Sequence, residues 1–165
     1  MASQHSRLSI EAAEAALSTC KIRELKPPQP VCLEPSSTLA EAIDSMHARR
    51  SGCVLVCEGA HVRGIFTERD VLNKIAGQDV SFDSSLESFM TPNPVTAGSE
   101  DSLSDAILLM ERGGYRHLPL VDASGRVEGI ISIQDVIEYL ADLYPTEVLN
   151  LPPHADSGSK KMDGG

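Results

Sequence analysis

The strongest constraint on this chain is that it repeats itself. Displaced by 64 residues, Pro28, Pro30 and Val31 fall on Pro92, Pro94 and Val95, and Leu39, Ala42, Ile43 and Met46 fall on Leu103, Ala106, Ile107 and Met110. One residue is then inserted, and a displacement of 65 lays Val62, Gly64, Ile65, Asp70 and Val71 on Val127, Gly129, Ile130, Asp135 and Val136. A period this long, present only twice, is unlike the short stacked units of solenoids. It predicts a duplicated half-domain with pseudo-twofold symmetry.

Each copy reads alike. A proline-rich approach, KPPQPV or TPNPV, runs extended because proline lacks a donor and restricts its predecessor. Apolar residues at i, i+3, i+4 and i+7 then predict a helix, begun by the capping pairs Thr38 with Glu41 and Ser102 with Asp105. Two short apolar runs around a turn, CVLVC to VRGIF and HLPLV to VEGII, predict paired strands, and a short amphipathic helix closes the copy. The expected fold is α/β (α+β), two tandem β-α-β-β-α repeats over residues 20–77 and 86–143, joined by a polar linker at 78–85. Residues 1–19 hold an extra helix with Leu8, Ala12, Ala15 and Ala16 on one side, able to dock or to pair with a partner. Residues 144–165 form an extension and tail, too rich in Pro, Gly, Ser and charge from Pro152 onward to order itself.

A chain of 165 residues, 41% hydrophobic, buries enough surface to need neither disulfides nor a structural metal. Fourteen basic against 24 acidic residues leave a net charge of −10. That balance argues against nucleic acid or an anionic membrane as partner, since phosphates demand a basic stripe. No apolar run approaches the roughly 20 residues that cross a bilayer, and the start lacks the cationic and apolar pattern of a signal peptide; the expected location is the cytoplasm. Cys20, Cys32, Cys53 and Cys57 show no CxxC or zinc-finger spacing, so reduced, unligated thiols are expected. Cys53 and Cys57, four apart on a strand, share a face as core thiols. With no P-loop, nucleophile elbow or metal-ligand cluster, no enzymatic activity and no cofactor are expected.

The sharpest local coincidence is Gly64-Ile65-Phe66-Thr67-Glu68-Arg69-Asp70 against Gly129-Ile130-Ile131-Ser132-Ile133-Gln134-Asp135. Two readings apply. Thr67 with Asp70 and Ser132 with Asp135 have the spacing of helix capping boxes. A hydroxyl and a carboxylate at a strand-to-helix turn, with glycine permitting close approach, also suit the vicinal hydroxyls of a ribose.

With TPNPVTA, SGCVLVCEGAHVRGIFTERDV and GGYRHLPLVDASGRVEGIISIQDV, the chain resembles the CBS-domain (cystathionine-β-synthase-type) family over about residues 20–143, as one tandem pair in a stand-alone regulatory protein. The resemblance implies binding of adenosine-containing ligands, AMP, ADP, ATP or S-adenosylmethionine, in clefts between the repeats. It implies that Thr67 with Asp70 and Ser132 with Asp135 hold ribose hydroxyls. Ile65, Ile130, Val31 and Val95 would flank the adenine, and Arg116 and His117 would meet phosphate. It further implies a homodimer and an unidentified target protein. Repeat one departs from the pattern: Gly52 and Cys53 stand where Arg116 and His117 stand in repeat two. Arg49, Arg50 and Arg69 are candidates for the missing charge, the first two explained equally well as cations at a helix end. Repeat two, with Asp135 beside Arg116 and His117, is therefore expected to be the stronger site. The alternatives are an adaptor without ligand and an unrecognised enzyme acting on nucleotides.

Overall fold

The computed structural model describes residues 2–143, with side chains from Ile10 onward. The expected extension and tail at 144–165, and the side chain of Leu8, lie outside the described residues. In chain order the elements are α1 (Ala2–Thr19), β1 (Cys32–Leu33), α2 (Leu39–Arg49), β2 (Cys53–Glu58), β3 (His61–Thr67), α3 (Glu68–Asp70), β4 (Thr91–Pro92), α4 (Leu103–Gly113), β5 (His117–Val121), β6 (Val127–Ser132) and α5 (Ile133–Leu143). The β-α-β-β-α order predicted for each copy is thus present, and Thr38 and Ser102 cap α2 and α4 through the boxes expected. Instead of continuing as an α-helix, α3 widens at Val71–Ile75 into a π-turn, a form concentrated at functional positions. Its counterpart α5 is regular over 11 residues.

The repeats do not close on themselves. β4, the approach of repeat two, pairs antiparallel with β3 of repeat one (Gly64↔Pro92, Ile65↔Thr91). Reciprocally, Ile130 on β6 donates its N–H to the carbonyl of Pro28 at 3.3 Å, and Gln29 Nε2 donates to the Glu128 carbonyl at 2.9 Å. The exchange extends to the helix ends. Leu39 and Ala40, in the first turn of α2, donate to the carbonyls of Ser84 and Phe82, while Leu103 of α4 donates to the carbonyl of Cys20. The orphan donors that every helix start presents are thereby met by the leader of the other repeat.

Packing follows the same exchange. The core of repeat one, with Leu39, Ala42, Met46, Val54, Val56 and Phe66, includes Leu86 from the leader of repeat two. The core of repeat two, with Leu103, Ala106, Met110, Leu118, Leu120 and Ile131, includes Cys20 and Ile22 from the leader of repeat one. Ile22 and Leu86 are fully buried, each contributing about 1.5–3 kcal/mol. A third cluster of Cys53, Leu55, Cys57, Ile65 and Ile130 forms the seam between the repeats.

Two sequence expectations need correction. On α1, Ala12 and Ala15 are exposed, and the face that docks against α4 is Ala13, Ala16 and Leu17, leading into Cys20. The alanines made neighbouring stripes nearly equivalent, and Leu17 decides between them by packing on the core of repeat two. Second, β1 has no full counterpart. Leu55 donates its N–H to the Val31 carbonyl at 2.8 Å, holding β1 parallel to β2. The residue equivalent to Leu55 is Pro119, which lacks the donor, so repeat two retains only the bridge between Ala97 and Leu120. Among the described residues, no helix is long and apolar enough to cross a membrane.

Candidate functional site

Thr67 ends β3 in an extended conformation, and its hydroxyl accepts from the N–H of Asp70. The Asp70 carboxylate returns the contact: Oδ2 accepts from Thr67 N at 2.9 Å and from Thr67 Oγ1 at 3.1 Å. Its Oδ1 lies 2.7 Å from Lys74 Nζ, which also donates to the Phe89 carbonyl at 2.6 Å. Asp70 is 7% exposed, and these partners hold its charge in one orientation. Ser132 and Asp135 repeat the box, with Asp135 Oδ2 accepting from Ser132 N at 2.6 Å and Oγ at 2.7 Å. Tyr139 stands there in place of Lys74. Both capping readings hold. Each also leaves a hydroxyl and a carboxylate fixed together at the end of a strand.

Beside Thr67 and Asp70 lies a cleft of about 470 Å³ formed by both repeats. Repeat one supplies Gly52, Ile65, Thr67, Glu68, Arg69, Asp70 and Leu72; repeat two supplies the approach from Thr91 to Val95 and the turn from Gly113 to His117. Arg69 crosses it, donating from Nη1 to the Gly114 carbonyl at 3.0 Å. Its apolar lining includes Ile65, Leu72, Pro94 and Val95, and its charged lining Glu68, Arg69 and Arg116.

The site therefore joins the carboxylate of repeat one to cations from both repeats. Arg116 and His117 line the cleft that holds Asp70, because leader exchange brings the turn before β5 over the end of β3, and they also keep the expected neighbourhood of Asp135, with His117 opposite Ser132 and the Arg116 carbonyl accepting from the Ile133 N–H. His117 lies between the two carboxylate sites. It is opposite Ser132 in the β5–β6 ladder, while its ring faces Gly52, where an added Cβ would come within 3.1 Å of Cε1. A side chain at Gly52 would crowd the imidazole and require it to shift by a few tenths of an ångström. Burial lowers the His117 pKa, with Glu68 and Asp135 acting in the opposite direction and Arg116 reinforcing it.

The other expected residues are distributed as follows. Ile65 and Val95 line the cleft, whereas Ile130 is buried in the seam and Val31 packs against the core of repeat one. The expectation that Gly64 gives a ligand room is corrected: a Cβ there would collide with the Met90 thioether, so the close approach it permits is that of β4. Gly129 lies in ordinary contact distance of Pro27 and Pro28. Of the alternative cations, Arg69 lines the cleft; Arg50 lines a separate groove and caps α2 in the left-handed region at φ 49°. Glu68, Asn93 and Tyr115 were not singled out by sequence. Tyr115 had a signal, since its ring covers Gly113 where no Cβ would fit. Among the described residues, no cluster of three or more His, Cys, Asp or Glu is arranged to hold a metal ion.

Comparison with known proteins agrees with this architecture. The family model of the CBS domain matches twice, over residues 22–77 and 86–142. An uncharacterised 17.7 kDa protein of Acidianus ambivalens is 30% identical over 125 residues, 75% of either chain. CBS domain-containing protein CBSCBSPB3 of Arabidopsis thaliana is 31% identical over 103 residues, 62% of this chain but 18% of its own length. Among solved structures, the CBS-domain protein ATU1752 of Agrobacterium tumefaciens superposes with a TM-score of 0.67 at 34% identity, covering 73% of this chain and 98% of its own. A CBS domain protein of Pyrobaculum aerophilum complexed with AMP gives a TM-score of 0.67 at 24% identity, covering 74% and 99%.

Proposed function

Because this chain belongs to the CBS-domain family, we propose that it is a non-catalytic regulatory module whose inter-repeat cleft binds an adenine nucleotide and passes its occupancy to a partner protein. The observation that carries this reading is the convergence, in one cleft, of Thr67 and Asp70 with Arg69, Arg116 and His117. Asp70 and Thr67 hold the ribose hydroxyls: the carboxylate is already fixed by Lys74 and the backbone, so little ordering remains to be done on binding. Ile65, Pro94, Val95 and Tyr115 enclose the base, and the guanidinium groups meet phosphate as charge-assisted donors. An AMP-bound relative of the same fold supports the ligand class. The Asp70 carboxylate, tied to Thr67 and Lys74, serves binding better than nucleophilic attack.

The signal is a linkage effect. A ligand that touches both repeats favours the arrangement in which they are closed around it, by its difference in affinity for the two states. Ser132 and Asp135 form a second and weaker site, since Gly52 and Cys53 provide no charge at the positions equivalent to Arg116 and His117. The module acts as a homodimer. Leu72 and Ile137, at equivalent positions after the two capping boxes, are 69% and 49% exposed and present apolar surface that a second copy would cover.

Titration with adenosine, AMP, ATP and S-adenosylmethionine, followed by melting temperature and calorimetry, tests the reading. At 100 times its dissociation constant a nucleotide adds about 2.7 kcal/mol of stability. AMP should bind more tightly than adenosine, and Arg116→Ala should remove about tenfold of that preference while leaving adenosine unchanged. Absence of any binding would favour an adaptor, and turnover of ATP would favour an enzyme.

A further inference from the structure

We propose that Cys32 and Cys57 form a reversible intrachain disulfide between β1 and β2. β1 runs parallel to β2 with Cys32 opposite Leu55 and Leu33 opposite Val56. Residues opposite each other in a ladder share a face, and side chains along a strand share a face every second residue. Cys32, Leu55 and Cys57 therefore lie on one side of the sheet, with Cys57 diagonal to Cys32 just beyond the irregularity between Val56 and Cys57 in the β2–β3 pairing. On that shared face each thiol perturbs the titration of the other.

Their environments divide the roles. Cys32 is exposed, while Cys20, Cys53 and Cys57 are buried. The contact from Cys57 lowers the Cys32 thiol to about 7, against the opposing effect of burial, and raises that of Cys57. Cys53, pushed up to about 12 by burial, and Cys20, in the core of repeat two, stay apart from this exchange. A thiolate that is accessible and next to a second sulfur meets the requirements of an attacking and a resolving cysteine.

The oxidant is a small disulfide of the glutathione class. The Cys32 thiolate attacks one sulfur, forming a mixed disulfide and releasing one equivalent of thiol. Cys57 then gives up its proton, and its sulfur displaces the second equivalent. Two protein thiols become one disulfide, and one small disulfide becomes two small thiols. The bond would fasten β1, which follows the Pro28 approach to repeat two, to the inter-repeat seam that contains Cys57.

The experiment equilibrates the full chain in mixtures of reduced and oxidised glutathione, quenches by alkylation and maps peptides by mass spectrometry. The expected product is lighter than the reduced chain by two hydrogens, carries a Cys32–Cys57 linked peptide, and returns to the reduced mass with dithiothreitol. Cys57→Ser should instead stop at glutathione bound to Cys32, and Cys32→Ser, changed at an exposed position, should not react. A parent chain that stops at the Cys32 mixed disulfide, cross-links to a second copy through Cys32, or pairs other cysteines would overturn the proposal. None of these readouts depends on nucleotide binding.

Discussion

The two repeats share one element order, depart from each other in backbone at β1 and α3, and differ most where side chains meet the inter-repeat cleft. Repeat one ends its first helix, α2, on Arg50 in the left-handed region, and repeat two ends α4 on Gly114 at the same place. Repeat one follows with Gly52 and Cys53, repeat two with Arg116 and His117. Repeat one neutralises its capping aspartate with Lys74, and repeat two has Tyr139 there. The differences are complementary: Gly52 carries no side chain to crowd His117. Duplication alone would make two equal clefts. Here one copy supplies the Thr67 and Asp70 box with Arg69 to the cleft, and the other supplies Arg116 and His117.

The largest expected effect tests this division directly. Asp70→Ala should weaken AMP binding about 10- to 100-fold, the range for losing hydrogen bonds to a charged group, while Asp135→Ala changes it little. Calorimetry on both variants decides, and equal losses would return the two clefts to equivalence. Both variants should also lose about 1 kcal/mol of folding stability from the missing cap.

Next comes the outer face, where the repeats are expected to act alike. Ile137→Glu should halve the mass seen by light scattering at micromolar concentration, with the far-ultraviolet spectrum unchanged. Leu140 is a poor choice for this test, because it packs against the core of repeat two. A parent chain that scatters as a monomer would remove the dimer from the reading.

At the helix ends the effects should be opposite in sign. Gly114→Ala places a Cβ in the left-handed region and should destabilise by about 1 kcal/mol, whereas Arg50→Gly relieves that strain and should stabilise by about half as much. Urea unfolding measures both.

The smallest effect is in pH. Burial keeps the His117 pKa below its ordinary value, so the folded chain takes up this proton less readily than the unfolded one. Its contribution is complete above about pH 6.5 and is lost as pH falls below it. The stability difference between the parent and His117→Gln should be flat above pH 7 and move against the parent towards pH 5. AMP, by placing negative charge beside the imidazole, should bind with proton uptake near pH 6, visible as a buffer-dependent calorimetric heat.

Much of this was legible from residues. Helix period, turn chemistry and the four capping boxes are local, and Thr38, Thr67, Ser102 and Ser132 act as their neighbours predict. The exchange of leaders was not legible. Ile22 and Leu86 are equivalent residues of equivalent segments, and a duplicated sequence satisfies the same hydrophobic pattern whether each leader packs on its own copy or on the other. Leader exchange is also why Arg116 lines the same cleft as Asp70. On α1, four alanines offered little contrast between faces, and a single leucine decided the docking.

Leader exchange also governs how the chain must fold. Ile22 reaches its core only when α4, some eighty residues later, is in place, and Leu86 must return to α2. Contacts so distant in sequence raise the relative contact order and slow the search for the native state. They also leave no stable half-way product: a lone copy would lack the aliphatic plug of its core and the acceptors for its helix start. Folding should therefore proceed as one all-or-none transition, and neither repeat should persist as an independent unit when the chain is cut at the linker.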